Sequence, residues 1–159
     1  MQTDMNVTVE ITREDWADTH VPLPAYATTG SVGADLRANL SQEDREDGLM
    51  LGVGERMVVP TGLRVAIPEG FEMQIRPRSG LAITHGVTIL NAPGTIDCDY
   101  RGPLGVILCN MGAEPYHIGH GTRIAQAVVA PVARAAYVPV AALSQTVRGA
   151  QGFGSTGTR

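Results

Sequence analysis

The sequence predicts an all-β fold, a sandwich or a barrel, and three observations carry that expectation. Short apolar runs recur with Gly and Pro turn signals about every 8–12 residues. The run FEMQIR (71–76) alternates cleanly, with Phe71, Met73 and Ile75 on one face and Glu72, Gln74 and Arg76 on the other. No stretch sustains the 3.6-residue period of a long helix, and no internal repeat is present.

The elements follow in order. NVTVEI (6–11) places Val7, Val9 and Ile11 on one side of a strand. Further strands are expected over RMVVP (56–60), LRVAIP (63–68), FEMQIR, GVTIL (86–90), LGVILCN (104–110), RIAQAVVAPV (123–132) and AAYVPV (135–140). Short helices are expected only over SGLAITHG (79–86) and SQEDRE (41–46). A compact β body, residues 1–143, with strands from about Met5 to Leu143, precedes a glycine-rich arm, residues 144–159.

Composition narrows the function. The chain has 159 residues, 43% hydrophobic and 4% aromatic, so aliphatic side chains must fill the core. Its net charge of -4 and lack of a basic run argue against polymeric nucleic acid as a partner. No apolar run suits a membrane span and the N-terminus lacks a signal-peptide pattern, so a cytoplasmic location is expected. All 12 basic residues are arginine. That excludes lysine Schiff-base chemistry and a lysine-dependent phosphate loop, and leaves planar forks suited to phosphate. The two cysteines, Cys98 and Cys109, form no zinc or disulfide framework. His117 and His120 in HIGH have no third ligand nearby in sequence.

Several short stretches could carry chemistry. In NAPGTIDCDYRG (91–102), Pro93-Gly94 signals a turn, and a hairpin with its neighbouring runs is expected. On the outgoing strand, period two would put Ile96, Cys98 and Tyr100 on one side. Asp97 and Asp99 would share the other, roughly 7 Å apart. Paired carboxylates on a rigid strand can act as base and orienter, but DxD alone also fits a solvated strand face. The hairpin backbone around Gly94, Thr95 and Ile96 can pair with a flat ligand edge, with Asn91 adding an amide. Such a fixed edge separates uracil from cytosine, because the two reverse donor and acceptor positions. In RPRSGLA (76–82), Arg78, Ser79 and Gly80 sit where a strand gives way to a helix, which suits either an anion or an ordinary cap at Ser79. Asp35 in GADLRA also fits a turn carboxylate. Gln126 interrupts an apolar strand and must find a partner, structural or ligand. Finally, RGAQGFGSTGTR (148–159) places the scarce aromatic Phe153 and two hydroxyls in very flexible chain, which a disordered tail would not need.

Taken together, GADLRA (33–38), PRSGLA (77–82), NAPGTIDCDYRG (91–102), GTRIAQ (121–126) and RGAQGFGSTG (148–157) resemble the five motifs of the trimeric dUTPase family, in order. The resemblance implies a distorted β-barrel or jelly-roll-like subunit in a homotrimer with active sites shared between subunits. It implies hydrolysis of dUTP to dUMP and pyrophosphate with Mg²⁺, limiting uracil in DNA and supplying dUMP for thymidylate synthesis. By the same resemblance, Asp97 activates the water that attacks the α-phosphorus. Asn91 and the backbone at Gly94, Thr95 and Ile96 read uracil, and Tyr100 underlies the sugar. Arg78, Ser79, Gly80 and Gln126 bind phosphates, and Asp35 holds magnesium-bound water. Arg148, Phe153, Gly154, Ser155 and Thr156 form a lid, with Phe153 stacking on the base. Pro103, Thr122 and Gln151 stand where the family often carries other residues, none of them assigned to chemistry. A dCTP deaminase of the same fold and a non-catalytic nucleotide-sensing trimer are the alternatives. Asp97 and the Phe153 tail argue against the first, and Asp97 against the second.

Overall fold

The structure, a computed structural model, describes residues 6–150 and 152. Its strands are β1 (Glu10–Arg13), β2 (Ala25–Tyr26), β3 (Ala34–Arg37), β4 (Leu49–Leu51), β5 (Arg56–Pro60) and β6 (Leu63–Ala66). They continue with β7 (Phe71–Arg76), β8 (Val87–Ile89), β9 (Gly94–Ile96), β10 (Gly105–Asn110), β11 (Tyr116–Ile118) and β12 (Arg123–Pro131). The one helix among them, α1, spans Ser79–His85 between β7 and β8.

The fold is all-β and jelly-roll-like, as expected. Its strands pair antiparallel in four sheets, ordered β2-β3-β12-β7-β9, β5-β10-β8, β1-β6 and β11-β4. Among the described residues no sheet closes into a barrel. One buried cluster draws on all four sheets, including Leu36 (β3), Leu51 (β4), Val65 (β6), Ile75 (β7), Leu108 (β10) and Ile124 (β12). Alternation places these side chains. In β7, Met73 and Ile75 are buried while Gln74 is half-buried and Arg76 exposed. Each fully buried aliphatic side chain contributes about 1.5–3 kcal/mol over exposure, which compensates for the scarcity of aromatics.

α1 ends because Gly86 adopts φ 67°, the left-handed cap conformation, and returns its N–H to the Ala82 carbonyl. A side chain there would meet the backbone of Gly112 as well as backbone strain.

Several expectations fail. Of NVTVEI only Glu10 and Ile11 join a strand, β1, and residues 6–9 lie outside it. Residues 42–47 form turns rather than a helix: Ser41 Oγ bonds the Asp44 side chain and backbone, a local competitor of helix. β8 and β9 do not form a hairpin. β8 pairs with β10, and β9 with β7. The segment AAYVPV forms no strand, and Tyr137 and Val138 are 95% and 74% exposed. Its backbone finds no neighbouring strand among the described residues, and β12 ends at Pro131.

Leu108, 1% exposed at the centre of the β5-β10-β8 sheet, tests this core. Leu108→Ala is expected to lower the unfolding free energy by about 2–5 kcal/mol, measured by chemical denaturation.

Candidate active site

Three chain segments converge on one cleft of ≈ 370 Å³. β3 contributes Asp35, the β7–α1 junction contributes Arg78, Ser79 and Gly80, and β12 contributes Arg123 and Gln126. Alternation in β3 buries Ala34 and Leu36 and turns Asp35 the other way. Register then sets Gln126 of β12 directly opposite Asp35.

Strand period alone would put Arg123 and Gln126, three residues apart, on opposite faces. The register between β12 and β3 shifts between Arg123 and Ala125, a bulge that adds one residue. Ile124 and Ala125 are consequently both buried, and Arg123 and Gln126 line the same cleft.

The electrostatics are simple. Arg78 donates through Nε to Asp35 Oδ1 at 3.2 Å, and Arg123 through Nη1 to Oδ2 at 3.1 Å. Arg78 also donates to the Arg123 carbonyl at 3.3 Å. Two guanidinium groups against one carboxylate leave the cleft net positive. Gln126 donates to the Pro77 carbonyl at 2.8 Å, so its amide both finds a structural partner and faces the cleft. Gly33 makes room for it, since a Cβ there would overlap the Gln126 carboxamide. At α1, Arg78 takes the N-cap position without a side-chain cap bond, and Ser79 is the first helical residue rather than the cap. The first N–H groups of a helix have no intrahelical acceptor, and Ser79 and Gly80 face the cleft.

The expected base-reading residues lie elsewhere in the chain. Asn91, Gly94, Thr95 and Ile96 line a second, small cavity of ≈ 50 Å³ together with Gly105 and Ile107. A Cβ at Gly94 would lie 3.4 Å from Asn91 Nδ2, so the amide sits close over this glycine. β9 is one of the two edge strands of the five-stranded sheet, so among the described residues no strand pairs with its outer backbone edge, though this edge is not a hairpin tip.

The expected strand alternation beyond Ile96 is also replaced. β9 stops there, and the Tyr100 N–H closes a turn on the Asp97 carbonyl at 3.2 Å. The Arg101 guanidinium draws in the carbonyls of Cys98 and Tyr100 at 2.7 and 2.8 Å. These local bonds take residues 97–100 out of the ladder. Asp97 and Asp99 are exposed, so they are turn residues and not a pair on one strand face. Cys98 is half-buried against the core. The Tyr100 ring, 42% exposed, lies over Gly102, and its hydroxyl donates to the Pro103 carbonyl at 3.1 Å.

The remaining candidates separate. Arg148 is exposed, in a segment without regular structure, and does not line the cleft. Phe153, Gly154, Ser155, Thr156 and Gln151 lie outside the described residues. Both histidines of HIGH are engaged in the fold. His117 Nε2 is 2.7 Å from the Asp47 carbonyl. His120 Nδ1 accepts the Leu40 N–H at 3.0 Å, which leaves Nε2 to donate to Asp18 at 3.2 Å. The sequence reading missed Arg123. Its place beside Gln126 depends on the bulge, which no local signal announced.

Comparison with known proteins follows the same motifs. The dUTPase family profile matches residues 19–157. A deoxyuridine 5′-triphosphate nucleotidohydrolase of Dinoroseobacter shibae is 60% identical over 153 residues, covering 96% of this chain and 99% of that one. The protein of the same name from Roseobacter denitrificans is 57% identical, covering 95% and 97%. Among solved structures, the dUTPase of Staphylococcus bacteriophage 80alpha with dUPNHPP superposes with a TM-score of 0.81 at 24% identity, covering 95% and 99%. A dUTPase variant of the S. aureus phage phi11, described with a structural Mg(II) ion, gives 0.70 at 21% identity, covering 87% and 99%.

Gly33→Ala is expected to displace Gln126 and weaken inorganic pyrophosphate binding about tenfold, read by titration calorimetry.

Proposed function

The chain belongs to the dUTPase family and hydrolyses dUTP, and we propose that Asp97 activates the attacking water while the Arg78 cleft holds the phosphates. The observation that carries this reading is the convergence of Asp35, Arg78, Ser79, Gly80 and Gln126, drawn from three separate motifs, on one positively charged cleft.

The chemistry balances with these residues. Asp97, as carboxylate, takes a proton from water as the oxygen attacks the α-phosphorus. The bond from that phosphorus to the bridging oxygen breaks, giving dUMP and pyrophosphate. Arg78, the Ser79 hydroxyl, the Gly80 backbone and Gln126 orient the triphosphate and offset its charge. As substrate enters, Arg78 exchanges its Asp35 contact for phosphate oxygens. Asn91 and the free edge of β9 at Gly94, Thr95 and Ile96 pair with uracil. A cytosine would leave those groups unmatched. The Tyr100 ring packs under the sugar and leaves no room for a ribose 2′-hydroxyl.

Mg²⁺ fits this cleft only indirectly. Among the described residues no cluster of three or more His, Cys, Asp or Glu side chains could hold a metal ion. Asp35 is the acidic side chain lining the cleft. That donor set suits a hard cation held by triphosphate oxygens, with Asp35 reaching it through water. When bound, the ion would supply further charge compensation to the phosphates.

A homotrimer completes the site. Within one chain the phosphate cleft and the base-reading cavity have no residue in common. β9 and β12 stand two strand spacings apart, about 10 Å. A neighbouring copy supplies the missing half. Exposed Tyr137, Val138, Val140 and Leu143 are apolar surface that such an assembly would cover. We read residues 1–143 as the body and residues 144–159 as an arm that closes over bound substrate. In the arm, Arg148 would grip the γ-phosphate, Ser155 and Thr156 the phosphate chain with Gly154, and Phe153 would stack on uracil. In the cell the reaction would limit uracil in DNA and supply dUMP for thymidylate synthesis, in the cytoplasm and without polymeric nucleic acid. No helix among the described residues is long and apolar enough to cross a membrane.

Pyrophosphate release from dUTP, dCTP, dTTP and UTP, assayed side by side, tests the assignment. Rapid release is expected from dUTP alone, and Asp97→Asn is expected to slow it by about 10²–10⁴-fold. Full activity in Asp97→Asn would reject the proposed base, and ammonia release from dCTP would move the chain to the deaminases. Truncation after Leu143 is expected to reduce kcat/KM for dUTP by at least about tenfold, since base stacking alone contributes on the order of 1–3 kcal/mol. Unchanged turnover of the truncated chain would exclude the lid.

A further inference from the structure

The segment between β9 and β10 carries two proposed site residues, Asp97 and Tyr100, yet it lies outside the ladders. Its own hydrogen bonds fold it: Tyr100 N–H to the Asp97 carbonyl, Arg101 to the carbonyls of Cys98 and Tyr100, and the Tyr100 hydroxyl to Pro103. Beyond it, the Leu104 N–H is anchored on the Leu63 carbonyl at 2.8 Å, and the Leu104 carbonyl accepts the Thr61 hydroxyl at 2.6 Å. Between those points, among the described residues, one side chain from outside hydrogen-bonds to the turn. Arg64, on β6, donates through Nη1 to the Arg101 carbonyl at 3.2 Å.

Arg64 is itself aimed. Its Nε and Nη2 grip the two oxygens of Glu14 at 2.5 and 3.3 Å. Glu14 is tied to the start of β6, since its N–H donates to the Gly62 carbonyl at 2.9 Å. The guanidinium is planar, so fixing two of its nitrogens fixes the direction of the third. The carbonyl it holds belongs to the peptide between Arg101 and Gly102. Gly102 lies under the Tyr100 ring, where a Cβ would collide with the ring and its hydroxyl. Displacing that peptide therefore displaces the ring, and with it the turn that begins at Asp97.

We propose that Arg64, braced by Glu14, is a positioning residue that holds the Asp97–Tyr100 turn in its working shape. It thereby sets both the rate of water attack and the rejection of the ribose 2′-hydroxyl. The inference rests on the roles given above to Asp97 and Tyr100.

The test uses the full chain. Steady-state kcat and KM are measured for dUTP and for UTP in wild type, Arg64→Met, Arg64→Lys and Glu14→Gln, with thermal midpoints in parallel. Arg64→Met is expected to lower kcat for dUTP roughly threefold to tenfold. It is also expected to shrink the dUTP-over-UTP ratio of kcat/KM by about fivefold. Arg64→Lys keeps one charged contact to Glu14 but loses the fork. It is expected to keep a midpoint near wild type while losing discrimination as Arg64→Met does, and Glu14→Gln should fall between. An unchanged dUTP-over-UTP ratio in both Arg64 variants overturns the inference, even if both nucleotides slow together, because a purely structural brace would slow both alike. Wild type and Asp97→Asn run in the same assay keep the two questions apart. Loss of activity in Asp97→Asn with unchanged Arg64 variants removes Arg64 and leaves the underlying reading intact.

Discussion

Strand β12 is paired along both edges, with β3 on one side and β7 on the other, and the cleft depends on that double pairing. β3 brings Asp35, and β7 runs into the corner that carries Arg78, Ser79 and Gly80. β12 fixes the distance between them. Its one extra residue turns Arg123 to the side where Gln126 already points. Gln126 then secures the corner by donating to the Pro77 carbonyl. Cleft geometry is thus a property of backbone register, which is strongly specified wherever one face of a sheet is buried.

Charge is arranged on that frame with economy. Arg78 and Arg123 are each partly exposed and share one carboxylate, Asp35. Ion pairs this exposed contribute little to stability. Their value lies in orientation: the shared carboxylate keeps two forks aimed at the cleft, where the proposed reading places the phosphates. An anion richer in charge than one carboxylate can take over those donors with little rearrangement. The same logic, at smaller scale, applies to Glu14 and Arg64 beneath the Asp97–Tyr100 turn.

The elements proposed to read the base follow a different rule. β9 is short and lies at a sheet edge, and an unpaired edge is a hazard unless something covers it. A ligand edge is a suitable cover, as is a second copy of the chain. The apolar side chains left exposed after Pro131 make the same demand. In the proposed trimer, neighbours meet both demands and join the phosphate cleft of one chain to the base reader of another.

Much of this was legible from residues alone. Clean alternation in FEMQIR and the short helical run SGLAITHG are local facts, and β7 and α1 form there, α1 ending one residue early where Gly86 caps it. The motifs around Asp35, Arg78 and Gln126 were each readable in the sequence, and the structure brings them to one cleft. Local pattern failed where partners decide. AAYVPV has strand composition but no strand beside it within the described chain. GVTIL and IDCDY look like two arms of a hairpin, yet β8 pairs with β10, and β9 ends at Ile96 and pairs with β7. Residues 97–100 alternate like a strand, but side-chain and turn hydrogen bonds close on them first.

The sequence by itself determined the β character, the aliphatic core and the arginine-only cationic chemistry, because each follows from side-chain type and period; only the resemblance of its motifs singled out Asp35, Arg78, Ser79, Gly80 and Gln126 among the residues that line the cleft. Tertiary structure alone decided which strands pair and where β12 bulges. It alone recruited Arg123 and laid Arg64 against the Asp97 turn. Those outcomes depend on contacts between residues far apart in the chain, where hydrogen-bond register, not local preference, sets the geometry.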